Sequence, residues 1–165
     1  MRSLLLLRHA KSSWGDASCD DHDRSLDARG RRAAVLMGGF IAECEPAPDL
    51  VLCSSARRTV ETLERLRPLL PDEPEVAIER GLYLAGHEDL CDRIARVSDS
   101  RGSLLVIGHN PGIESLARFL ARRKSERIPP KYPTAALAGF TLPGGWADVA
   151  RDCRFAFFVR PKDLV

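Results

Sequence analysis

Little in the sequence would anchor, staple or charge it. Lys and Arg total 25 against 23 acidic residues, a formal charge of +2, so no global field marks a nucleic-acid binder, and any anion site must be local. The cysteines, Cys19, Cys44, Cys53, Cys91 and Cys153, are odd in number and lack a Cys-x-x-Cys pair, which argues against a disulfide scaffold and a structural zinc site and fits a reducing compartment. No apolar run approaches the roughly 20 residues of a membrane span. No charged-then-apolar leader precedes the first strand, so a cytoplasmic protein without membrane contact is expected. Internal repeats and low-complexity tracts are absent too. What is present is core material: 44% hydrophobic residues in a chain of 165, read as a single domain over 1–165.

Short apolar runs at LLLLRH, DLVLCS, EVAIE, SLLVIGH, GFTL and FAFFVR have the length of buried strands. The segments between them show helical periodicity, an alternation that predicts an α/β domain. Asp27 is a plausible N-cap for the first helix, whose apolar face would carry Ala33, Leu36, Met37, Phe40, Ile41 and Cys44, with Gly38 and Gly39 weakening it locally. Val60, Leu63, Leu66 and Leu70 form a second stripe, Leu90, Ile94 and Val97 a third, and Ile113, Leu116, Ala117 and Leu120 a fourth. The prolines of RIPPKYPT mark a loop.

Three of the strands end in residues that suit an anion. The first delivers Arg8 and His9 at its carboxyl end, the edge where ligands bind in open α/β sheets. The second ends in CSSARRTVETLERL, where Ser54 or Ser55 could cap a helix that opens with Arg57 and Arg58. Cations are disfavoured at that position by a few tenths of a kcal/mol each, because a helix N-terminus carries about half a positive charge. An anion between the arginines and the dipole would remove the conflict. The strand SLLVIGH ends at His109, with Pro111 and Gly112 leading into another helix.

These residues resemble the histidine phosphatase superfamily, which also contains the cofactor-dependent phosphoglycerate mutases. Its signature is an Arg-His pair after the first strand, here Arg8 and His9, an arginine before a threonine-bearing helix, and a second histidine after a later strand. Counting back four residues from Thr62 selects Arg58; Arg57 is then a bystander or an auxiliary, and His109 in IGHNPG matches the second histidine. DRSLDARG, LYLAG and PTAALAGFTL extend the similarity, over nearly the whole chain, to the small SixA-like phosphohistidine phosphatases. One departure is Ala10, where Arg-His-Gly is commoner. The resemblance implies a three-layer α/β/α sandwich with a mostly parallel central sheet, phosphoglycerate mutase-like.

Within that scheme His9 is the nucleophile, with Arg8, Arg58 and His109 binding the phosphoryl oxygens. It calls for no metal and no cofactor. Lys11, Ser12 and Arg57 are further phosphate- or substrate-binding candidates, and Trp14, Arg24, Lys131 and Tyr132 lie on loops that could form the pocket rim. Glu79, in IERGLY, is the carboxylate placed nearest to where a general acid would stand; the alternative is a strand-end glutamate paired with Arg80 or solvent. The expected substrate is phosphohistidine on a signalling protein of histidine-phosphotransfer type. Hydrolysis of a small phosphate ester is the alternative chemistry, and a non-catalytic phosphoprotein-binding module the alternative class. No nucleic-acid or membrane partner is expected, and a monomer is favoured.

Two readings are set aside. Cys53 lies one residue too close to Arg58 for a Cys-x5-Arg phosphatase loop, and HEDLC at His87 lacks the second histidine of a zinc-protease helix.

Overall fold

The computed structural model describes residues 1–14 and 17–165. Strand β1 (Arg2–Arg8) lies inside a six-stranded sheet, beside β4 (Ser103–Gly108) in parallel and β5 (Leu137–Leu142) antiparallel. β2 (Leu50–Ser54) and β3 (Glu75–Glu79) extend the parallel part, and β6 (Arg154–Val159) pairs antiparallel with β5, giving the order β3-β2-β4-β1-β5-β6. The sheet is therefore mostly parallel, as expected, and the antiparallel β5 lies between β1 and β6.

The four consecutive leucines of β1 are all buried, because both faces of the sheet are covered. Leu4 and Leu6 pack with Leu90 and Ile94 of α3 (His87–Ala95) and with Ile113 and Leu116 of α4 (Gly112–Ala121). Leu5 and Leu7 face the other way, onto Met37 and Ile41 of α1 (Ala28–Ala42) and Leu63 and Leu66 of α2 (Arg57–Leu66). Alternation of side chains along the strand thus divides one apolar run between two helical layers. A short α5 (Val149–Asp152) precedes β6. No helix among the described residues is long and apolar enough to cross a membrane.

Helix α1 begins as its sequence suggests, with the Asp27 carboxylate accepting from Gly30 N at 2.7 Å. Gly38 differs from expectation. A Cβ there would stand 2.8 Å from Leu66 Cβ, so this glycine lets α1 and α2 approach closely, whereas Gly39 has nothing within 4 Å of the same position. Neither Ser54 nor Ser55 caps α2 in the expected way. The N-cap is Ala56, without a side-chain cap bond.

Candidate active site

Strands β1, β2 and β4 run parallel and adjacent, so their carboxyl ends open on one edge of the sheet. His9 follows β1 directly, its backbone N–H donating to Gly108 O at 3.0 Å. His109 follows β4, and the two imidazole centroids are 5.4 Å apart. The chain at Ala10 is tied to α2, since Thr62 Oγ1 accepts from Ala10 N at 3.0 Å while donating to Arg58 O at 2.6 Å. Ala10 itself is fully buried against Leu26, Ala34 and Ala135, so its methyl occupies an apolar niche.

The proton of His9 can be placed by its neighbours. Nδ1 is 2.7 Å from Ala10 O, and a carbonyl only accepts, so Nδ1 carries the hydrogen and Nε2 of the neutral ring presents a lone pair. Burial drives the His9 pKa down to about 3 against the Ala10 carbonyl, which favours the charged ring; His109, Arg58 and Arg8 lower it further. His109 is depressed to about 3 as well, first by burial and then by Arg58. Its Nε2 is 2.7 Å from Ser54 Oγ. Ser54 Oγ already accepts from Ala56 N at 3.3 Å. Its own proton is then free for His109 Nε2, an arrangement that leaves the imidazole hydrogen on Nδ1.

Arg8 Nε, Arg58 Nε and His109 Nδ1 are buried without a hydrogen-bond partner. Buried donors are ordinarily satisfied, and three such atoms around one histidine suit an oxyanion. Arg8 is oriented by Tyr132 O, which accepts from Nη1 at 2.9 Å. Tyr132, expected on the rim, is instead fully buried, with its hydroxyl on Leu6 O at 2.5 Å.

Arg58 is buried and Arg57 is not. Arg57 Nε pairs with Glu61 at 2.6 Å on the surface of α2. Arg58 donates to Asp21 O at 2.6 Å and to the Asp21 carboxylate at 3.0 Å. The anion expected beside this helix start is thus supplied by the chain itself. The carboxylate also accepts from the Tyr83 hydroxyl and from Arg24 Nε at 3.1 Å. Its pKa is pushed down to about 2, chiefly by the Tyr83 bond and then by Arg58 and Arg24. Arg24 in turn donates to Ser12 Oγ at 2.9 Å and stacks 3.6 Å over the Trp14 ring. A second contact ties the same segment down: His22 Nε2 lies 2.9 Å from Ser55 Oγ.

A cleft of about 420 Å³ opens here, lined by Arg8, His9, Lys11, Ser12, Trp14 and Arg24, with Arg29 and Thr134 completing it. Lys11 and Ser12 are thereby brought to the pocket. Glu79 is not a free acid. Arg93 grips both of its oxygens at 2.8 Å, and this holds the carboxyl below its usual range, ionised and without a proton to give. The partner is Arg93, in the last turn of α3, rather than Arg80.

Asp21, Tyr83 and Ser54 were not singled out for the site from sequence. LYLAG gives Tyr83 only a family likeness, Asp21 lies two residues before DRSLDARG, and no spacing rule connects position 21 to position 58. Cys53 is buried and its thiol is pushed up to about 12 by burial. Among the described residues no group of three or more His, Cys, Asp or Glu could hold a metal ion.

The family model of the histidine phosphatase superfamily (branch 1) matches residues 4–83. An uncharacterized protein of Mycobacterium tuberculosis is 41% identical over 153 residues, covering 89% of this chain and 94% of that protein. The SixA phosphohistidine phosphatase candidate from Nakamurella multipartitia has a similar structure, with a TM-score of 0.83, 30% identity, and coverage of 97% of this chain and 96% of that chain. The protein histidine phosphatase SixA complexed with tungstate, 22% identical, shares the fold with a TM-score of 0.83 over 99% of both chains. The family match falls on the stretch that carries Arg8, His9, Asp21, Arg58 and Tyr83, and the Nakamurella likeness runs almost end to end: this chain belongs to the histidine phosphatase superfamily and is SixA-like.

Proposed function

We propose that the chain removes the phosphoryl group from phosphohistidine on a protein, with His9 as the nucleophile and no metal taking part. The carrying observation is that Arg8, Arg58 and His109, which all act electrostatically on a neutral His9, each keep one buried nitrogen without a partner. In the first step the Nε2 lone pair attacks phosphorus while the P–N bond of the substrate breaks, and the substrate ring, protonated on its other nitrogen, departs as neutral imidazole. In the second, water attacks phospho-His9, releasing inorganic phosphate and restoring the ring. Phosphoryl transfer depends mostly on positioning and charge stabilisation, which the two guanidinium charges, with their free Nε–H groups, and an imidazole N–H provide.

Two carboxylates support the choice of leaving group. Asp21 and Glu79 are both held ionised by arginine, Asp21 also by the Tyr83 hydroxyl, so neither has a proton for a departing alkoxide. An imidazole, with a conjugate-acid pKa near 6.5, leaves far more readily than an oxygen base resembling water, pKa about 15.7.

The test is kcat/KM on phosphoimidazole and on an alkyl phosphate, with chelator present. Phosphoimidazole should be preferred by roughly a hundredfold or more, and Glu79→Gln should shift it only about twofold, against the 10²–10⁴ typical of an engaged acid. His9→Ala should abolish turnover while vanadate still binds. Robust turnover by that variant would remove His9 from its role. Equal rates on both substrates, with the alkyl rate collapsing in Glu79→Gln, would favour a small ester instead.

A further inference from the structure

Beside the catalytic pocket lies a second cleft of about 480 Å³, which shares Lys11, Arg29 and Thr134 with it. Its apolar wall consists of Pro129, Pro130, Pro133 and Pro161 with Ala33. Lys11, Arg29, Lys131, Arg160 and Lys162 supply its charge, and no carboxylate is among its lining residues. Of these cations Arg160 is paired, with Asp163 at 2.9 Å. The other four have no ion pair among the described residues. Arg29 stands in the first turn of α1, where the only carboxylate at the helix start among the described residues, Asp27, is taken up in capping Gly30 N. Lys11 is held next to that turn: Asp27 N donates to Lys11 O at 3.0 Å, and a Cβ on Gly30 would lie 2.0 Å from the same oxygen.

We propose that this cleft is a docking groove for an acidic segment of the phosphorylated protein substrate, which lies across the prolines while its phosphohistidine reaches His9. The inference rests on the phosphohistidine reading above. A small ligand is a poorer occupant, because pockets for such ligands orient them with several placed polar groups. Thr134 is the single uncharged polar side chain among the lining residues. Lysine point charges on flexible stems suit a row of carboxylates, and a cleft of one sign raises the encounter rate with an acidic partner.

The experiment compares a phosphohistidine peptide flanked by glutamates with the same peptide flanked by glutamines, on wild type and on Lys131→Glu/Lys162→Glu. Both lysines are exposed and line only the second cleft. Wild type should favour the glutamate peptide by roughly tenfold or more in kcat/KM at low salt, and the preference should shrink at about 0.5 M salt. The double variant should lose the preference yet keep its phosphoimidazole rate within about twofold. The unphosphorylated glutamate peptide should also bind the variant roughly tenfold more weakly. Equal kcat/KM on the two peptides in wild type, or an unchanged Kd in the variant, overturns the groove and leaves the phosphatase reading standing. Inorganic pyrophosphate binding without peptide preference assigns the cleft to a small polyanion and overturns the groove too. Failure to turn over phosphoimidazole and both phosphopeptides, with peptide binding as expected, overturns the phosphatase reading instead.

Discussion

Arg57 and Arg58 are adjacent in sequence, but only Arg58 is buried, where Asp21 takes two of its N–H groups. Charge-assisted hydrogen bonds are worth about 1.5–3 kcal/mol each, so Arg58→Ala should cost at least roughly ten- to a hundred-fold in kcat/KM. Arg57→Ala removes an exposed i,i+4 pair with Glu61 and should change activity by less than about twofold. The opposite ranking, read from initial rates, would move the site by one residue. Asp21 makes a different prediction. Its carboxylate orients Arg58 and Tyr83 and is not among the residues lining the cleft. Asp21→Ala should therefore lower kcat by about tenfold without raising KM, the mark of a group that acts through Arg58 rather than by gripping substrate. A raised KM with unchanged kcat would make Asp21 a substrate contact.

The contact between α1 and α2 depends on the side chain that Gly38 lacks. Gly38→Ala would force a Cβ to 2.8 Å from Leu66 Cβ, overpacking that should cost about 1–3 kcal/mol. Gly39→Ala, one residue on in the same helix, meets nothing within 4 Å and should stabilise by about 0.5–1 kcal/mol. Urea midpoints of the two variants should move in opposite directions; a shift of the same sign in both would mean that backbone entropy alone decides and the helix contact does not. Gly30 couples this layer to chemistry. A Cβ there would enter the space of the Lys11 carbonyl at 2.0 Å, and backbone cannot yield as a flexible side chain can. Gly30→Ala should consequently reduce kcat/KM as well as stability.

The whole molecule carries two buried histidines that resist protonation. In an unfolded chain each would titrate near 6.5, while in the native protein both are held to about 3. Between those values the unfolded state binds more protons, so stability is full above about pH 6.5 and falls as the pH drops through the window. Asp21, lowered from 3.8 to about 2, adds a further loss below 3.8, reduced by its solvent exposure. Urea midpoints at pH 7, 5 and 4 should decline steadily, and His109→Gln should flatten the decline; a midpoint constant over that range would show that both rings are protonated in the native state. The acid limb of kcat/KM should likewise lie well below 6.5, since it reports groups of the free enzyme.

What the sequence determined by itself follows from order along the chain. Four leucines of β1 running into Arg8-His9, and Leu104–Ile107 of β4 running towards His109, place a polar group at the end of a buried strand. That placement is local, set by strand length and by the solvation of whatever follows. Helical stripes such as Ile113, Leu116, Ala117 and Leu120 are legible for the same reason, since 3.6-residue periodicity needs no partner to be read. Side-chain partners were decided only in three dimensions. Glu79 has Arg80 beside it in sequence, but β3 and α3 present Arg93 to it. Asp21 meets Arg58 across 37 positions, Tyr83 across 62, and Ser54 reaches His109 across 55. Those meetings depend on the β2-β4-β1 order of the sheet and on the packing of α2 beside the Asp21 segment, and chain spacing carries no record of either.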